Sequence, residues 1–79
     1  MTVQEELKKT VARVTHTSAD DLTPDTVLKS IKADSLHWVQ IIISMETTFN
    51  IEIDIERMRE LQTFGDLVNY IEGLVGQKT

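Results

Sequence analysis

Apolar residues recur along this chain at spacings of three and four, and little interrupts them. Val3, Leu7, Val11 and Val14 make one stripe. Phe64, Leu67, Val68, Ile71 and Leu74 make another. Such spacing keeps one face of a helix apolar and requires a neighbour to cover it. With three glycines and one proline in the chain, few positions stop a helix. Strand-like alternation occurs only at Asn50-Ile51-Glu52-Ile53, and a lone strand has nothing to pair with. The pattern predicts an all-α fold.

The expected elements are a first helix from about Val3 to His16, a connection from about Thr17 to Asp34, and a second helix from Ser35 to about Phe49. A short helix over about Ile55 to Leu61 and a last helix from Thr63 complete a small four-helix bundle. Thr2 with Glu5 has the form of a capping box, and Asp34, Asp54 and Thr63 stand where N-caps belong. Asp66, in the first turn of the last helix, sits where negative charge is favoured. Leu36, Val39, Ile42, Met45 and Phe49 form the inward stripe of the second helix, and Ile41 and Ile43 widen it. That helix is therefore expected at the centre. Ile55, Met58 and Leu61 are expected to face inward from the short helix. The 17–34 connection is long for a compact domain, a length that usually serves function. Leu22, Val27, Leu28 and Ile31 should pin it to the core. Gly76 is expected to begin a frayed tail over about 76–79.

The 79 residues fit a single domain,. A domain of this size buries only about 60% of the surface its unfolded chain exposes, so a deep enclosed active site is hard to build. There is no cysteine, which excludes disulfides, thiolate metal sites and a cysteine nucleophile. Any thiol chemistry requires an attached group. The formal net charge is −5, which speaks against nucleic acid as the main partner. Met1 to Glu6 lacks a basic region followed by an apolar run, so no signal peptide is expected. The longest apolar run, Ile41-Ile42-Ile43, is far too short for a membrane span. A soluble, cytoplasmic monomer is the expectation.

Chemistry concentrates at Asp34-Ser35-Leu36, where the long connection meets the central helix. A serine at the first helical position lies beside unsatisfied backbone N–H groups and the positive end of the helix dipole. An anionic group there needs no dedicated basic pocket. Serine is also common at helix starts for capping reasons alone, so the tripeptide by itself is weak.

Three stretches together are more specific. Lys32-Ala33-Asp34-Ser35-Leu36, then Phe49-Asn50-Ile51-Glu52-Ile53, then Thr63-Phe64-Gly65-Asp66-Leu67 through Tyr70-Ile71 resemble the acyl carrier protein family, across nearly the whole chain. The resemblance implies a covalent 4′-phosphopantetheine on Ser35, flanked by Asp34 and Leu36, with an acyl group held as a thioester on the arm. It implies a phosphopantetheinyl transferase and acyl-loading, condensing or acyltransferase enzymes of lipid or polyketide-type synthesis as partners. The domain itself would be non-catalytic, with no metal site. Asp34 would also help to orient the transferase.

The family is typically acidic along the central helix. Here Glu46 is its only acid; His37 and Gln40 stand where carboxylates are usual, and Thr47 and Thr48 replace a further acidic pair. Lys29, Ser30 and Lys32 replace acids and a glycine in the loop, and the short helix carries Arg57 and Arg59. This points to a specialised carrier whose docking leans less on charge. Trp38, His37, Gln40, Ile43 and Arg57 are the candidate partner-binding residues. Trp38 lies one turn beyond Ser35, beside the arm, at a partner, or packed on the short helix or loop. A carrier of D-alanine or another amino acid is an alternative, although Ala33-Asp34 does not match the glycine and histidine usual in peptidyl carriers. An unmodified helical adaptor is an alternative of another class. A hydrolase would need a base and an oxyanion hole for Ser35, and the two histidines offer little.

Overall fold

The computed structural model describes residues 2–77. Four helices follow one another: α1 (Val3–Thr15), α2 (Ser35–Phe49), α3 (Ile55–Arg59) and α4 (Phe64–Gln77). Among the described residues there is no strand, only an isolated antiparallel bridge between Val27 and Thr63.

Local signals set the helix ends. Thr2 Oγ1 accepts from the Glu5 N–H at 3.1 Å to open α1. Asp54 Oδ1 accepts from Glu56 N–H at 2.9 Å to open α3. α1 and α2 each stop on a residue with positive φ, His16 at 57° and Asn50 at 53°. Both residue types tolerate this left-handed conformation, and each N–H bonds back to the helix, on Ala12 and Glu46 carbonyls respectively,. α3 ends at Arg59, short of the expected Leu61, because the chain tightens: Glu60 and Leu61 N–H donate three residues back, to Arg57 and Met58 carbonyls,. α4 continues helical through Gln77, past the Gly76 at which fraying was expected. A single glycine in an exposed last turn weakens a helix without breaking it; Lys78 and Thr79 lie outside the described residues.

The core sits where α1, α2 and α4 meet. Leu7 and Val11, Ile41 and Met45, and Phe64, Leu67 and Ile71 are fully buried there. The 17–34 connection folds into two 3₁₀ turns, Ala19–Asp21 and Leu28–Ser30. Leu22, Leu28 and Ile31 are buried as the sequence suggests, whereas Val27 is exposed. At Val27 the backbone does the holding instead. Leu28 N–H donates to the Gln62 carbonyl at 2.8 Å, Phe64 N–H to Thr26 at 2.8 Å, and Gly65 N–H to Pro24 at 2.9 Å. The loop is thus stitched to the α3–α4 junction. That junction is itself a reciprocal cap: Thr63 Oγ1 accepts from Asp66 N–H at 3.1 Å, and Asp66 Oδ2 accepts from Thr63 N–H at 3.2 Å. The N–H of Thr63, then that of Gln62, holds the Asp66 carboxyl below the usual carboxylate range,.

Four more expected core residues are corrected. Leu36, Val39, Ile43 and Ile55 are exposed. Leu36, Val39 and Ile43 share the outer face of α2, turned away from Ile41 and Met45, because steps of three residues drift around a helix of about 3.6 residues per turn. No helix among the described residues is long and apolar enough to cross a membrane.

Candidate functional site

Ser35 is the first residue of α2, and Asp34 is the N-cap in extended conformation. The cap is a full box. Asp34 Oδ1 accepts from His37 N–H at 2.9 Å, and His37 Nδ1 accepts from Asp34 N–H at 3.3 Å. Histidine is an unusual partner for this role, where Glu or Gln is customary. It explains how His37 can replace a carboxylate without loosening the helix start. The box satisfies two backbone donors and leaves Ser35 exposed, with no hydrogen-bond partner for its side chain among the described residues.

A groove of about 500 Å³ opens beside Ser35, between α2, α3 and the loop. Ile31, Trp38, Ile42, Met58 and Leu61 supply much of its apolar wall. Trp38 is partly buried there, packed against the core. Ile42 lines the groove as well as being buried, whereas Met45, Leu67, Val68 and Ile71 are buried core outside its lining. Val39 and Ile55, expected in the core, line this groove instead. So do Lys29 and Arg59, which the sequence marked only by their charge.

A second hollow of about 480 Å³ lies on the other flank of α2, against the end of α1. His37, Gln40, Ser44, Arg13 and His16 border it, and Arg13 donates to Ser44 Oγ at 3.4 Å. Between the two hollows runs an exposed apolar ridge: Leu36 is 64% exposed, Val39 41% and Ile43 55%. Positions three and four apart share a helix face. Arg57 is exposed on α3, away from both hollows.

The one acid of α2 is engaged internally. Glu46 Oε2 accepts from Ile53 N–H at 2.8 Å and so anchors the connector to α3. Tyr70 Oη accepts from Asp54 N–H at 3.0 Å, holding the start of α3 against α4. These two bonds fix the far wall of the groove. Sequence spacing gives no sign of either.

The chain matches the family model described as "Phosphopantetheine attachment site" over residues 5–71. It is 36% identical to the acyl carrier protein of Helicobacter pylori strain J99 over 73 residues, covering 91% of this chain and 94% of that one. It is 33% identical to the acyl carrier protein of strain G27 over the same length. The fold matches the solution structure of a holo acyl carrier protein from Geobacter metallireducens, with a TM-score of 0.80, 24% identity and coverage of 99% of this chain and 91% of that one. The exposed serine at a capped helix start, the adjoining groove and these likenesses agree: the chain belongs to the acyl carrier protein family, whose members bear a phosphopantetheine attachment site.

Proposed function

We propose that Ser35 is the attachment point of the arm and that this domain is a specialised, non-catalytic acyl carrier. The observation that carries the reading is one juxtaposition. An exposed hydroxyl, unpartnered among the described residues, sits at the first position of a 15-residue helix and opens onto an apolar groove of about 500 Å³. The arm supplies a terminal thiol on which an acyl group is held as a thioester.

Everything else is the work of the chain. The start of α2 offers unsatisfied N–H groups and a positive dipole end to a phosphodiester on Ser35. The Asp34–His37 box holds that end in register while keeping the hydroxyl outside. The groove shelters apolar cargo from water at a gain of roughly 25 cal/mol per Å² buried. Neither histidine hydrogen-bonds to Ser35. His37 Nδ1 is engaged with the Asp34 N–H, and His16 is the C-cap of α1. This supports attachment rather than nucleophilic chemistry.

The transferase and the loading, condensing or acyltransferase enzymes meet the exposed face of α2. Ile43 and Gln40 project there with Leu36 and Val39, and Trp38 and His37 flank it; Arg57, exposed on α3, is a separate contact point for the same partners. With Glu46 turned inward onto Ile53, that face is apolar and polar rather than acidic. Docking on it responds weakly to salt.

Co-expression with a broad phosphopantetheinyl transferase, followed by intact mass, tests the reading. One added arm, absent from Ser35→Ala, is expected. No addition with several transferases would instead favour a helical adaptor. Intact mass after purification from the native host then separates fatty acyl from aminoacyl cargo.

A further inference from the structure

The groove beside Ser35 carries a charge pattern opposite to that of the molecule. The chain has 13 Asp and Glu against 8 Lys and Arg. Yet no acid lines this groove, while two bases do. Lys29 comes from the second 3₁₀ turn and Arg59 from the end of α3. They therefore reach the groove from different elements. Both are exposed. Lys29 has no ion pair among the described residues. Arg59 has one, to Glu56 at 3.8 Å, with both side chains largely in solvent. Such a contact holds a guanidinium only weakly. The rest of the lining is apolar apart from Ser35 itself. Low-dielectric walls strengthen the field of charges at their rim.

We propose that Lys29 and Arg59 form an anion-recognition pair for whatever is tethered at Ser35, an inference that rests on the carrier reading. Arg59 offers a planar fork of donors and Lys29 a compact ammonium. Together they suit an oxyanion with two or more acceptor oxygens. Two sources share that chemistry. One is the phosphodiester that joins the arm to Ser35. The other is a carboxylate at the free end of the acyl cargo. In the first case the pair fastens the arm along the groove. In the second it selects acyl groups that carry a second acid.

The test uses the full chain in three forms: holo, butyryl-loaded and succinyl-loaded. The two acyl groups have equal carbon number and differ in a terminal carboxylate. Each form is prepared with the native sequence, with Lys29→Gln, Arg59→Gln and both, and with Lys29→Arg and Arg59→Lys as charge-preserving controls. Intact mass establishes loading, and circular dichroism establishes that each variant is folded. The phosphorus resonance of the phosphodiester and the indole resonance of Trp38 are then followed against salt.

A phosphodiester site moves the phosphorus resonance in the Gln variants equally in all three forms. A cargo site makes the Trp38 response to succinyl exceed that to butyryl, with the excess falling about two- to fivefold in each Gln variant, the range expected of an exposed charge pair. In either case the charge-preserving variants retain the signal and salt weakens it. Fully loaded, folded double variants that match the native sequence in both resonances would overturn the proposal. Absence of any arm on Ser35 overturns the carrier reading first, and intact mass shows that before any spectrum is taken.

Discussion

Asp34 and His37 cap each other across the first turn of α2, carboxylate to backbone N–H at 2.9 Å and backbone N–H to imidazole Nδ1 at 3.3 Å. Loss of an N-cap side chain costs about 0.5–2 kcal/mol. Asp34→Ala is therefore expected to lower the melting temperature by several degrees, at about 4–8 °C per kcal/mol for a domain of this size. His37→Gln keeps an acceptor at the same position and should melt close to the native protein. His37→Ala should fall between the two. Thermal melts followed by circular dichroism check the order, and an Asp34→Ala protein that melts with the native one contradicts it.

Glycines at 65 and 73 should respond in opposite directions to alanine. A Cβ at Gly65 would meet the Pro24 carbonyl oxygen at 2.9 Å and its Cβ at 3.2 Å. The same carbonyl already accepts the Gly65 N–H, so neither side has room to yield. Gly65→Ala should cost about 1–3 kcal/mol through overpacking. At Gly73 a Cβ meets nothing within 4 Å, and the site is a helix interior. Gly73→Ala should stabilise by about 0.5–1 kcal/mol. Urea unfolding of both variants measures the two signs.

Glu46 is a bracket for the backbone. Its truncation to alanine leaves the N–H of buried Ile53 unpaired, a cost of about 1–3 kcal/mol. Glu46→Gln retains an acceptor oxygen and should cost less than Glu46→Ala in the same urea titration. Hydrogen exchange at the Ile53 amide should accelerate in the alanine variant and stay slow in the glutamine one.

Asp66 links stability to pH. The N–H groups of Thr63 and Gln62 hold its carboxyl below the ordinary value in the folded chain. A depressed folded pKa means stability that is present above the unfolded value, about 4, and lost as pH falls through the lower folded one. Asp66→Asn removes the titrating group and should flatten this part of the acid limb. Urea midpoints at neutral pH and near pH 3 provide the comparison. A variant that loses stability on acidification as steeply as the native chain contradicts the assignment.

Much of this layout is legible in the sequence because its signals are local. Thr2, Asp34, Asp54 and Thr63 cap helices through neighbours no more than three residues on, and the stripe of α1 needs only the helical period. Burial is less local. Leu36 and Val39 continue the apolar spacing of Ile42 and Met45, yet steps of three drift around the helix and carry them, with Ile43, to its outer face,. A helix with apolar residues on several sides does not tell which side its partners leave uncovered. Ile55 shows the same gap on α3. Glu46 reads as a surface acid because its acceptor role depends on where Ile53 returns. Lys29 and Arg59 are distant in the chain, and only the fold brings them to one groove.

The loop that leads to Ser35 is fastened to the α3–α4 junction through main-chain atoms, at Pro24, Thr26 and Leu28. The exposed Lys29 side chain, which has no ion pair among the described residues, is therefore not what keeps it in place. Substitution at Lys29 changes the charge presented at the groove while the scaffold beneath stays put. A carrier built this way can acquire new cargo or new enzymes by small surface changes near its serine, without first having to solve its folding again.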